Sequence, residues 1–117
     1  MKMIPETIKN VFANENVSCE KGSIKTRSYT VDGFYVSLTS DAGRDYEIFL
    51  DSDNEKEIIK VLADELKGFN VNREAKYFAK DEGGKTAIED IRSDVEGLRG
   101  KLAKLVEDCK AVLPMVA

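Results

Sequence analysis

From Asp41 to Glu57 the chain carries seven carboxylates, Asp41, Asp45, Glu47, Asp51, Asp53, Glu55 and Glu57, against Arg44 and Lys56, a local balance of 2 − 7 = −5. Carboxylates at this density can hold a hard cation, complement the start of a helix, or imitate a row of phosphates. Asp51-Ser52-Asp53-Asn54-Glu55 opens like a calcium-binding loop, but the sixth position is Lys56 where a glycine is needed and the twelfth is Leu62 where a bidentate glutamate belongs. No metal is expected there. Ser52 and Glu55 have capping-box spacing, so the same acids would surround a helix N-terminus and complement its dipole. An acidic strand end running into that helix start would also suit a basic nucleic-acid channel on another protein, which makes these seven residues the expected partner-binding segment.

Other chemistry is poorly supplied. Histidine is absent, which removes the commonest general base and the commonest metal ligand together. Cys19 stands in a strand without an activating neighbour, and Cys109 falls on the apolar face of a helix, so both read as inert small side chains. Gly97-Leu98-Arg99-Gly100 has the GxxG spacing of an RNA-clamping loop, yet its surroundings are helical. Tyr35 and Phe49 could stack bases on an open sheet face with Lys25 and Arg27 nearby, but Asp45 and Glu47 on or beside that face would repel phosphate. The expectation is no catalytic residue, no metal, no cofactor and no direct nucleic-acid binding.

The chain has 117 residues and a net charge of −4, from 22 acidic and 18 basic residues, so bulk charge gives no attraction to nucleic acid or to an acidic membrane. Its length suits one core. Two cysteines without close spacing, and no apolar leader, predict a cytoplasmic setting. No apolar run approaches the ~18 residues that a membrane span needs.

The elements that would position these residues form an α+β pattern. Pro5 and the stripe Ile4, Ile8, Val11 and Phe12 predict a short helix over 5–14. Period-two alternation from Val17 to Leu50, with turn signals at Lys21-Gly22, Asp32-Gly33 and Asp41-Ala42-Gly43, predicts a four-stranded antiparallel meander. A covering helix with Ile58, Ile59, Leu62 and Leu66 opens at Ser52 and stops at Gly68. Asn72 would cap a short helix over 73–80, followed by the polar loop Asp81-Glu82-Gly83-Gly84 as a hinge. The parts are thus an α+β region, residues 1–82, and a C-terminal helix, residues 83–117, within one structural unit.

That last helix carries the strongest pattern in the chain. Ile88, Ile91, Val95, Leu98, Leu102, Leu105, Cys109 and Val112 alternate in steps of three and four, an unbroken a/d heptad seam. Thr86 and Glu89 would form a capping box, and the helix would run to about Leu113. Gly97 and Gly100 fall off the seam, each costing ~1 kcal/mol relative to Ala. Arg92, Asp94, Arg99 and Lys101 flank it, so the stripe is narrow, and a strict 3.5 repeat fits a second helix better than a sheet. These eight residues are the expected dimerisation seam, with Asp94 meeting Arg99 of a second copy in a parallel homodimer. An antiparallel neighbour within the same chain would satisfy the same pattern.

Gly68-Phe69-Asn70-Val71-Asn72, then Lys76-Tyr77-Phe78, then Thr86-Ala87-Ile88-Glu89-Asp90-Ile91 resemble, over about residues 66 to 110, a group of small proteins from phages and prophages of Gram-positive gut bacteria. The chain departs from them in carrying asparagine at 70 and 72 and in being less acidic. Residues 5 to 67 are similar in layout to small phage anti-CRISPR proteins. That resemblance implies a non-catalytic inhibitor that occludes a host defence effector such as a nuclease, in places by nucleic-acid mimicry, in the cytoplasm of an infected bacterium. The alternative is a structural or assembly protein that pairs through its C-terminal coiled coil.

Overall fold

The structure, a computed structural model, describes residues 4–14 and 16–112. Helix α1 (Glu6–Phe12) is followed by strands β1 (Val17–Lys25), β2 (Thr30–Thr39) and β3 (Asp45–Leu50), then helices α2 (Glu55–Gly68), α3 (Val71–Asp81) and α4 (Ile88–Lys110). The α+β class is as expected. The strands form one antiparallel sheet in the order β1-β2-β3.

The four-stranded meander is corrected to three strands among the described residues. Two of the three glycine signals are not turns: Gly22 and Gly33 lie opposite each other inside the β1–β2 ladder. A Cβ at Gly22 would strike the Tyr35 ring, and one at Gly33 would strike the Leu50 carbonyl oxygen and the Phe49 ring. Glycine in mid-strand marks such close approach as readily as it marks a turn. The turn between β1 and β2 is Thr26-Arg27-Ser28-Tyr29. Thr26 closes it with its amide and hydroxyl, both donating to the Tyr29 carbonyl at 2.8 Å. The third signal holds, since Ser40 and Arg44 close the β2–β3 turn through Ser40 N to Arg44 O at 2.7 Å.

Three helix starts also move. Asn54, not Ser52, caps α2, its Oδ1 accepting from the Glu57 amide at 3.2 Å, while Ser52 Oγ accepts from the Asn54 amide. Asn70, not Asn72, caps α3, accepting from the Arg73 amide at 2.9 Å. Helix α4 starts after Ala87 with no side-chain cap, so Thr86 and Glu89 form no capping box there. At the other end of α4, Leu113 lies outside the described residues.

Helices α1, α2 and α4 pack against the sheet, whose inner face presents Phe34, Val36, Leu38, Ile48 and Leu50, and α4 is central, packed against α1, α2, α3 and β2. Ile58, Ile59 and Leu62 of α2 join that core, as expected of a covering helix. Among the described residues no helix is long and apolar enough to cross a membrane.

The expected dimerisation seam is corrected here. Ile91, Val95, Leu98, Leu102, Leu105 and Cys109 are buried against their own chain together with Val106, while Ile88 is 39% exposed and Val112 is partly buried. The heptad spacing serves helical neighbours of the same chain and a sheet at once, because Val106 widens the stripe and Asp94 and Lys101 turn towards the sheet's end. Asp94 does not reach out to a second copy's Arg99. It bonds Ser40, Ala42 and Arg44, and Lys101 bonds Asn16, Thr39 and Asp41.

Candidate interaction groove

The β2–β3 turn is fastened to the helices by one guanidinium. Arg44 Nε and Nη2 donate to the two carboxylate oxygens of Glu82 at 2.7 and 2.8 Å, and its Nη1 donates to Asp94 Oδ2 at 2.7 Å. The side chains of Arg44 and Asp94 are only 12% and 10% exposed. Asp94 also accepts from Ser40 Oγ at 2.6 Å and from the Ala42 amide at 3.1 Å. Burial pushes the Asp94 carboxyl up, but the bonds from Ser40, Arg44 and Ala42 outweigh it, so it stays below the ordinary aspartate value. Glu82 is held below its ordinary value by the Arg44 donors. Two carboxylates on one guanidinium, in a fork geometry, keep the cation paired and remove it from the surface charge.

With Arg44 occupied, the surface beside it is acidic and aromatic. Between the outer edge of β3 and α3 runs a groove made of two adjoining hollows, about 460 Å³ and 380 Å³, which share Asp45, Tyr77 and Phe78 as lining. One wall is β3 itself, Asp45, Tyr46 and Glu47; the other is α3 and its C-terminal end, with Glu74, Asp81 and Glu82. Lys76 and Lys80 of α3 are not part of the lining. Tyr77 is 65% exposed, the most exposed large hydrophobic residue among those described, and meets Phe78 edge-on with ring centroids 5.8 Å apart. Tyr46 closes the floor from the inner face, its ring 5.1 Å from Phe69 and its hydroxyl donating to Glu65 at 2.5 Å. Burial, then the Glu65 carboxylate, pushes that phenol well above the ordinary tyrosine value, so it stays a neutral donor.

The seven expected partner-binding acids divide three ways. Asp41 sits in the β2–β3 turn, paired with Lys101 Nζ at 2.8 Å. Asp45 and Glu47 line the groove, Asp45 also accepting from Thr39 Oγ1 at 2.8 Å. Asp51 and Asp53 are exposed in the connection beyond β3, and Glu55 and Glu57 lie in the first turn of α2. Because β3 runs about 17 Å from Asp45 to Leu50, at ~3.4 Å per residue, the seven do not form one compact cluster. The carboxylates that do gather beside Asp45 and Glu47 come from α3, and the sequence pattern gave one sign of them: Arg44 is the lone cation between Asp41 and Asp53, and a basic residue there needs acidic partners from elsewhere in the chain.

The aromatic pair considered for base stacking, Tyr35 and Phe49, does lie on the sheet's outer face, ring centroids 5.1 Å apart, but the rings are spread over Gly22 and Gly33. Both cysteines are free. Cys109 is buried, and burial, with Asp108 nearby, pushes its thiol up to about 12. Cys19 is exposed, and desolvation, then Glu20, raises its thiol as well. Neither carries the lowered value of a reactive thiolate. No family model, curated protein or solved structure matches the chain.

Proposed function

We propose that this chain is a non-catalytic binding protein that occupies a basic, nucleic-acid-handling surface on another protein, in the manner of a phage inhibitor of a host defence nuclease. One observation carries the reading. The β3–α3 groove collects five carboxylates, Asp45, Glu47, Glu74, Asp81 and Glu82, around exposed Tyr77; among the described residues the cation in its lining, Arg44, is already bound to Glu82 and Asp94, and Glu74 lies 3.4 Å from Arg73, which leaves Asp45, Glu47 and Asp81 to meet a basic partner. A surface of that kind attracts lysine and arginine and repels phosphate. Pairing through a C-terminal coiled coil loses its support, because the seam is consumed inside the fold.

Capture of host proteins by immobilised protein tests the reading, with three forms compared: wild type, a groove variant (Asp45→Lys, Glu47→Lys, Asp81→Lys), and an α2-start variant (Asp51→Lys, Asp53→Lys, Glu55→Lys). The expected result is retention of a basic nucleic-acid-binding protein by wild type and by the α2-start variant, salt-sensitive in both, and its loss from the groove variant. Retention by the groove variant equal to wild type would remove the groove from the account.

A further inference from the structure

The groove has a property that charge alone does not give it: its sheet wall is a free strand edge. Among the described residues β3 pairs with β2 on one side only and ends the sheet on the other. A strand edge exposes a row of amides and carbonyls that can template another chain, and such edges are ordinarily blunted by lysine, proline or a covering element. The opposite edge, β1, carries Lys21 and Lys25 and has helix α1 packed against it. The β3 edge carries no lysine, only Asp45 and Glu47, both on the sheet's outer face, and the space beside it is open as far as α3.

We infer that the groove takes an extended lysine- or arginine-bearing segment of the partner protein, added to β3 as a fourth antiparallel or parallel strand. This rests on the reading of the chain as a binder of basic partners and adds the form in which the basic residues arrive. Main-chain bonds to the edge give affinity in strand addition, and side chains at every second position give specificity. Residues on one face of the incoming strand would stand beside Asp45 and Glu47. Those on the other would pass over Tyr77 between Glu74 and Asp81, where an arginine can lie against the ring. A nucleic-acid strand does not suit the site, because its phosphates would face the same carboxylates.

The probe is a fluorescein-labelled octapeptide of alternating arginine and valine, followed by anisotropy, with two isomers of equal charge that are N-methylated either at all arginines or at all valines. In an added strand, alternate amides face β3, so one isomer should lose at least tenfold in affinity while the other stays within about twofold of the parent. Hydrogen exchange at Asp45–Glu47 should slow on binding, and Tyr77→Ala, at an exposed position, should weaken the peptide roughly two- to fivefold, the equivalent of ~0.5–1 kcal/mol. Equal binding by both isomers, with unchanged exchange in β3, would overturn strand addition and leave the basic-partner reading standing. No binding of the peptide, alongside capture of a partner that still depends on Asp45, Glu47 and Asp81, would show that the groove takes a folded surface and would overturn it too. Failure of both assays at the groove would bring down the reading and the inference together.

Discussion

Asp94 shows how one side chain decides what a helix face is for. It occupies a g position of the α4 heptad, where a charge ordinarily sets pairing between chains, yet it is 10% exposed and receives three hydrogen bonds from the β2–β3 turn. Truncation to Asp94→Ala leaves Ser40 and Arg44 without that acceptor in a poorly solvated place, and should cost about 2–3 kcal/mol in urea unfolding at neutral pH. The pH dependence has a definite sign. The folded carboxyl binds its proton less tightly than the unfolded chain, whose ordinary value is 3.8. Its contribution is therefore complete above that value and is lost as the pH falls through the lower folded one. Asp94→Asn should be less stable than wild type at pH 6, and the gap should narrow steadily from pH 4 to pH 2. A gap that stayed constant over that range would mean that the ionised carboxylate contributes nothing.

At the scale of elements, the strands and α4 make predictions that separate packing from pairing. Gly33→Ala forces a methyl group against the Leu50 carbonyl, which is backbone and cannot swing away, whereas Gly22→Ala meets only the Tyr35 ring. Both should lower the thermal midpoint, Gly33→Ala by the equivalent of about 1–3 kcal/mol and Gly22→Ala by less. Equal effects would argue against the register that places Gly33 beside Leu50. Leu98→Ala, in the middle of the buried seam, should cost about 2–5 kcal/mol, with an unfolding midpoint that does not move over a hundredfold range of protein concentration. A midpoint that rose with concentration would place the seam between chains. The α+β order, the covering role of α2 and the apolar residues of α4 were legible because hydrophobic periodicity reports which face is buried. What periodicity does not report is against what. A heptad stripe looks the same towards a second chain as towards α2, α3 and a sheet, and only the inward-turning Asp94 and Lys101 distinguish them. Gly22 and Gly33 misled for a similar reason, since glycine permits a turn and a close approach equally, while the true turn rests on the Thr26 hydroxyl. The groove was half legible: Asp45 and Glu47 stood out in sequence, but Glu74, Asp81 and Glu82 lie roughly thirty residues further on and come beside them only when α3 lies along β3.

For the whole molecule, the buried seam and the open groove are two sides of one arrangement. The α4 helix spends its apolar face on the chain's own core, its charged flank fixes the sheet's end through Arg44 and Lys101, and the exposed carboxylates Asp45, Glu47 and Asp81 border the groove beside β3. The account then stands or falls on whether basic ligands collect in that groove. Titration of the isotope-labelled protein with the arginine-valine octapeptide, followed by backbone amide shifts, measures this directly. The account predicts saturable shifts concentrated at Asp45–Glu47 and at Glu74–Glu82, strong at low salt and weakened at high salt, with Asp51–Glu57 little changed. Shifts centred instead on Asp51–Glu57, or on the outer sheet face around Tyr35 and Phe49, would contradict it.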